Sequence, residues 1–246
     1  MFNIFKTKNA ASNANHLPFT TDMHSHILPG IDDGSPDIET SIQLIKGLIE
    51  LGITKSIATP HIIGDMYRNN ADSVFAAMAK LQLALEKEGI DFELSAAAEY
   101  MLDNYFFELL DNKTIMLTLK DKIILTEFSY SAMPSNPGQM IFHILTEGYT
   151  PILAHPERYA YFHNNYKQFD YLKDLGFLLQ VNLLSLTGYY GKETARAARY
   201  IIKNNLASFA GTDLHHERHL LALTDKKSRK IFAEIFEGRQ LDNFQL

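Results

Sequence analysis

Seven times along this chain, a short apolar run leads into a stretch whose apolar residues recur at helical spacing. The runs are Phe19–Met23, Ile53–Ile57, Phe92–Ala98, Lys122–Leu125, Thr150–Ala154, Phe177–Val181 and Ala207–Ala210. Between them, Ile38, Ile42, Ile45 and Ile49 form one helical stripe, widened by Leu48 and stopped by Gly52. Val74, Met78, Leu81 and Leu85 form another within Ala71–Glu88. Further helices are predicted over Asn104–Leu110, Gln139–Glu147, Tyr166–Leu175, Tyr190–Asn204 and Lys226–Glu237. Ser35 is the expected N-cap of the first helix, with Pro36 at its first turn, where a missing N–H costs nothing. Strands alternating with helices argue for a parallel sheet with crossover helices. Seven such units without a linker-like break favour one α/β barrel over residues 19–246, ahead of an open doubly wound sheet.

The strand ends carry the chemistry. Six of the seven finish in residues able to bind a metal: His24 and His26, then His61, Glu99, Glu127, His155, and Asp213 with His215. In a parallel barrel these ends face one mouth, where active sites sit. The single residue between His24 and His26 puts both imidazoles on one side, because side chains in a strand alternate. A Pro-Gly turn then leads to Asp32 and Asp33, of which one is expected as a ligand and the other as a turn-former or supporting acid. Glu99 and Glu127 each close an apolar strand, where an unpartnered carboxylate is costly. A set this large exceeds the four ligands of one zinc and implies two or three ions sharing bridging carboxylates. Imidazole and carboxylate suit Mn, Fe or Zn. Asp22, just before the pair, is expected to orient a histidine.

Arg158 lies three residues beyond His155, where its planar fork would match phosphate oxygens. The plainer reading is a surface salt bridge with Glu157, and the neighbouring cluster favours phosphate. Arg218 and Arg68 are weaker candidates for the same role. His16, His143, His163, His216 and His219 are expected to be ordinary surface or packing residues, with His216 and His219, close to the pocket, left open as exceptions. The tyrosines of Tyr159–Tyr171 and Tyr189-Tyr190 are expected to be half-buried packing.

There is no cysteine, which removes disulfides, zinc–thiolate sites and cysteine nucleophiles, and fits a reducing, cytoplasmic compartment. A net charge of −6 argues against nucleic acid as the main partner. No apolar run is long enough for membrane insertion. Residues 1–18 lack the apolar core of a secretory signal and are expected to form a flexible N-terminal tail. Neither GxGxxG nor GxxxxGK[ST] occurs.

Taken in order, DMHSHILPGIDDG, TPHI, AAAEYM, LTEFSY, LAHPERY and GTDLH resemble the blocks of the polymerase and histidinol phosphatase (PHP) superfamily. Within it they are most similar to the bacterial protein-tyrosine phosphatases of capsule and exopolysaccharide systems. The resemblance covers nearly the whole chain after residue 19, and the set is specific where any one block is not. It implies a distorted (β/α)7 barrel, TIM-barrel-like, with its active site at the C-terminal ends of the strands. It also implies three divalent metal ions, manganese foremost, held by His24, His26, Asp33, His61, Glu99, Glu127, His155, Asp213 and His215. Arg158 is implied as the substrate-phosphate residue, and His155 and Asp213 as catalytic. A further basic residue follows the last Asp-x-His in the family, and Arg218 stands at a spacing that departs from that pattern.

The expected activity is hydrolysis of phosphotyrosine by in-line attack of a metal-bridging hydroxide. The partner implied by resemblance is a bacterial tyrosine autokinase. Two rivals remain: another PHP-type phosphoesterase acting on histidinol phosphate or nucleotide ends, and a non-catalytic metal-bound regulator.

Overall fold

The computed structural model describes residues 17, 19–239 and 241–246. The expected tail lies outside the described residues except for Leu17, which is buried and donates its N–H to the Leu51 carbonyl. In chain order the strands are β1 Thr21–Asp22, β2 Lys55–Ala58, β3 His61–Ile62, β4 Glu93–Ala96, β5 Glu99–Met101, β6 Ile123–Glu127, β7 Thr150–Ala154, β8 Leu178–Asn182 and β9 Ala207–Gly211. The helices are α1 Ile38–Glu50, α2 Ala71–Glu88, α3 Asn104–Asp111, α4 Pro137–Thr146, α5 Lys167–Leu175, α6 Leu183–Thr187, α7 Lys192–Lys203, α8 Glu217–Thr224 and α9 Lys226–Phe236.

All strand pairs are parallel, in the orders β1-β2-β4 and β3-β5-β6-β7-β8-β9. Two expected strands are each broken in two. β2 and β3 flank Thr59-Pro60, and β4 and β5 flank Ala97-Ala98. Proline has no N–H to give a ladder, so the second stave breaks there. Its resumption sets His61 opposite Glu99, and β5 sets Met101 opposite Glu127. The seven staves therefore run round in sequence order, as the alternation predicts. Ser25 bridges Leu214, Asp213 N–H donates to His24 O (2.8 Å), and His26 N–H donates to Leu214 O (2.9 Å), closing the last stave onto the first. The result is a distorted α/β barrel.

The helix faces match the predicted stripes with small rotations. On α1, Ile42, Leu44, Ile45 and Leu48 are buried, whereas Ile49 is 39% exposed. The α1 cap is Asp37, not Ser35: its carboxylate accepts from Thr40 N–H at 2.8 Å. Ser35 is instead buried and bonded to the loop before it, donating its N–H to the His26 carbonyl at 2.9 Å. A separate apolar cluster takes Met23, Ile57, Ala97, Leu125, Ile152 and Phe209 from strands all round the ring and fills the barrel interior.

A side chain from the C-terminal stretch also stitches the seam. Asn243 is fully buried; its Oδ1 accepts from Ala210 N–H (3.0 Å), and its Nδ2 donates to Ala210 O (2.7 Å) and Thr21 O (3.2 Å). No ladder pairs β1 with β9, so this amide replaces one. Asn243→Ala strands buried backbone groups on both sides, each costing about 1–3 kcal/mol. Urea unfolding is expected to show a loss of about 2–4 kcal/mol by that accounting. A loss within experimental error would mean that the seam does not depend on this residue.

Candidate metal centre

The chain beyond β1 carries His24 and His26, both fully buried. Each is fixed through its Nδ1. The Gln180 side-chain oxygen accepts from His24 (3.0 Å), and the Asp32 carboxylate accepts from His26 (2.8 Å). Both Nε2 atoms are thereby turned to one point, 3.3 Å apart. Asp32 is held in place by the N–H groups of Gly34 (2.9 Å) and His61 (3.1 Å). Asp33, the next residue, instead reaches into the cavity, its Oδ1 3.5 Å from His61 Nε2 and 3.8 Å from His215 Nε2. The adjacent acids thus part: Asp32 orients a histidine and Asp33 faces the cluster.

Glu99 sits at the centre. Its Oε2 lies 3.2 Å from His24 Nε2, 3.3 Å from His26 Nε2 and 3.2 Å from His61 Nδ1. Its Oε1 lies 3.1 Å from His155 Nε2. Glu127 Oε1 reaches His61 Nδ1 at 3.2 Å. Asp213 Oδ1 lies 3.4 Å from His24 Nε2, 3.5 Å from His26 Nε2 and 3.3 Å from His215 Nδ1. Four overlapping sets of donor atoms converge closely enough for metal binding: His26/Asp33/His61/His215, His24/His26/Asp213, His24/Glu99/His155 and His61/Glu99/Glu127. All nine residues named from the strand ends and the Asp33 loop therefore meet in one nest.

The nest fits cations rather than hydrogen bonds alone. Buried His61 Nδ1, Glu99 Oε2 and Glu127 Oε1 have no hydrogen-bond partner of good geometry, and such orphans are rare in folded proteins. Without an ion the carboxylates draw protons onto the imidazoles. Burial alone would depress His24, but Glu99 and Asp213 raise it to about 9. Burial and the charge on His26 push His215 the other way, to about 3. Bound metal would meet the same demand for positive charge and displace those protons.

The backbone is shaped to this end. His155 and Asp213 both have positive φ, 34° and 52°, a conformation uncommon outside glycine and frequent at functional sites. Past His155, Pro156–Arg158 forms a single 3₁₀ turn that brings Arg158 back over the centre.

A cavity of about 410 Å³ opens above the nest. Arg158 lines it and donates from Nη1 to Asp213 Oδ2 at 2.6 Å. Glu157 is not its partner: that carboxylate is buried and accepts from Asn182 N–H (2.9 Å). Arg218 is exposed on α8 and does not line the cavity. Nor does Arg68, which donates from Nε to Gly64 O and stacks on Tyr105. Asp22 does not bond a histidine ring either. It accepts from both the N–H and the hydroxyl of Thr212, tying β1 to the end of β9, and burial raises it to about 6.

His216 and His219, expected as packing, both line the cavity, as does Tyr190. His16 lies outside the described residues. Tyr67, Tyr130 and Gln180 were not singled out from the sequence, yet Tyr67 stacks on His61 and Tyr130 Oη lies 3.3 Å from His155 Nδ1. Gln180 shares a strand face with Asn182, two residues on, and that alternation was the available signal. Asn182 Nδ2 donates to Asp213 Oδ2 at 2.8 Å.

Residues 20–231 match the family model described as capsular polysaccharide synthesis, CpsB/CapC. The chain belongs to this family. Tyrosine-protein phosphatase YwqE of Bacillus subtilis is 30% identical over 195 residues, spanning 79% of this chain and 77% of that protein. Tyrosine-protein phosphatase CpsB of Streptococcus pneumoniae is 27% identical over 202 residues, spanning 79% and 82%. The fold superposes on a solved structure from work on YwqE and CpsB, described as unique metal-dependent tyrosine phosphatases. The TM-score is 0.80 and the identity 28%, over 92% of this chain and 90% of that one. Histidinol phosphate phosphatase of Lactococcus lactis shares the fold at a TM-score of 0.57 and 13% identity, covering 90% of this chain and 94% of that one.

Proposed function

We propose that this CpsB/CapC family member is a metal-dependent protein-tyrosine phosphatase, a phosphoric monoester hydrolase. One observation carries the reading: a largely buried nest of imidazoles and carboxylates opens into a cavity beside a guanidinium, in a chain whose relatives bear that name. His24, His26, Asp33, His61, Glu99, Glu127, His155, Asp213 and His215 are the proposed holders of three divalent ions. Manganese is proposed, with Fe or Zn accepted by the same donors. When bound, such ions lower the pKa of a coordinated water to about 7 and draw charge from phosphoryl oxygens.

The chain's own residues do the rest. Arg158 presents N–H donors to the phosphate while Asp213 fixes its position. Gln180 and Asp32 hold the two histidines of the first stave in one orientation. A phenolate leaves with a pKa of about 10, so little help from a general acid is needed. The natural substrate is proposed to be a cytoplasmic tyrosine autokinase of capsule or exopolysaccharide synthesis. No described helix is long and apolar enough to cross a membrane.

The test is turnover of p-nitrophenyl phosphate, a phosphotyrosine peptide and histidinol phosphate with Mn²⁺, with and without chelator. Chelator-sensitive hydrolysis favouring the phosphotyrosine peptide is expected. Preference for histidinol phosphate would overturn the tyrosine assignment, and no chelator-sensitive turnover on any of the three would overturn the enzyme reading.

A further inference from the structure

Arg158 is confined more tightly than one ion pair requires. Its guanidinium carbon lies 4.3 Å from the centroid of the Tyr190 ring and 5.2 Å from that of Tyr130. The three residues come from different loops: Tyr130 follows β6, Arg158 follows β7, and Tyr190 lies between α6 and α7. Both rings are anchored within the cavity wall, Tyr130 through His155 Nδ1 (3.3 Å) and Tyr190 through His219 Nε2 (3.4 Å). Among the described residues, the only side-chain acceptor for Arg158 is Asp213, which takes one Nη1 donor. A guanidinium carries five N–H donors, all in its plane.

We propose that Tyr130 and Tyr190 are positioning residues that clamp the Arg158 guanidinium, so that its free N–H edge faces the substrate phosphate. Aromatic faces attract the cation without competing for its in-plane hydrogens. Held between ring faces and giving one N–H to Asp213, the guanidinium keeps further N–H donors for an anion. Arginine's long stem otherwise has substantial rotamer freedom to lose on binding. The two rings and Asp213 remove that freedom before substrate arrives, and such preorganisation is what orients a reacting phosphoryl group. This inference rests on the proposed role of Arg158 as the phosphate residue.

A double-mutant cycle on the manganese-loaded protein tests it. Tyr190→Leu, Arg158→Ala and the double variant are compared in kcat and KM on a phosphotyrosine peptide, and in Kd for inorganic phosphate by calorimetry. Metal content is measured alongside. Arg158→Ala is expected to lower kcat/KM about 100-fold or more. Tyr190→Leu should weaken phosphate binding and raise KM about 5- to 30-fold, with metal content unchanged. Tyr190→Phe, which keeps the ring, should recover most of that loss. In the Arg158→Ala background, Tyr190→Leu should add nothing.

Equal losses in both backgrounds would overturn the clamp while leaving Arg158 in its role. If Arg158→Ala itself left phosphate affinity unchanged, both the clamp and the underlying reading would fall. Should Tyr190→Leu fail to fold by circular dichroism, Tyr130→Leu enters the same cycle with the same criteria.

Discussion

Glu99→Gln is expected to reduce phosphotyrosine hydrolysis by about 1,000-fold or more and to lower the bound metal content. Glu99 is fully buried and belongs to two of the four donor sets, one shared with His24 and His155 and the other with His61 and Glu127. Among the carboxylates of these sets it alone belongs to two, which makes it the one best placed to bridge ions, and an amide replaces an anionic oxygen with a neutral one. Gln preserves the volume, so a cavity is not the cause of any loss. The fold is expected to survive: with the carboxylate gone, His24, His26 and His61 lose a neighbour that raises their affinity for protons, and each can stay neutral. Metal analysis, kcat/KM and near-UV circular dichroism on one preparation separate these effects. A Glu99→Gln protein with full metal and full turnover would show that the nest is not the catalytic centre. His155→Ala should likewise abolish turnover with the fold intact, since its Nε2 faces the same carboxylate at 3.1 Å.

The ring of strand-end donors was legible because two local rules suffice for it. Alternation along a strand puts His24 and His26 on one side, and the common mouth of a parallel barrel gathers His61, Glu99, Glu127, His155 and Asp213. Neither rule needs a distance between remote residues. What stayed hidden depends on pairings that only the closed barrel creates. Asp22 meets Thr212 across the seam at a separation of 190 residues, and nothing local separates that contact from a histidine partner. Arg158 found Asp213 rather than its neighbour Glu157, because the 3₁₀ turn sends adjacent side chains to opposite destinations. Asn243 sits in a C-terminal stretch with no motif, yet it does the work of a missing ladder. The choice between Asp32 and Asp33 had rested on resemblance. Geometry now separates them, since the Oδ2 of Asp32 is already occupied by His26 and by the His61 N–H.

Gly34→Ala is expected to weaken metal binding and cost stability together, because the space beside His26, a proposed ligand, is filled by backbone. A Cβ at Gly34 would stand 2.1 Å from the His26 carbonyl oxygen and 2.5 Å from His26 Cβ. Neither atom is the loose end of a flexible side chain, so relief requires moving the His26 backbone itself. Gly34 N–H also holds Asp32, which in turn holds His26, so the same shift loosens the imidazole from both sides. Overpacking of this kind costs about 1–3 kcal/mol. Ligand constellations tolerate only about 0.5 Å of displacement, so metal affinity should fall by about 10-fold or more.

Gly89→Ala provides the comparison. It caps α2 at a φ of 66° with nothing within 4 Å of an added Cβ, so it should cost about 1 kcal/mol through backbone strain alone. The two variants should therefore look similar in urea unfolding and differ in manganese titration of activity, with Gly89→Ala matching the parent protein. If Gly34→Ala also matched it, the Asp32–His26 contact would not control metal binding at the proposed site.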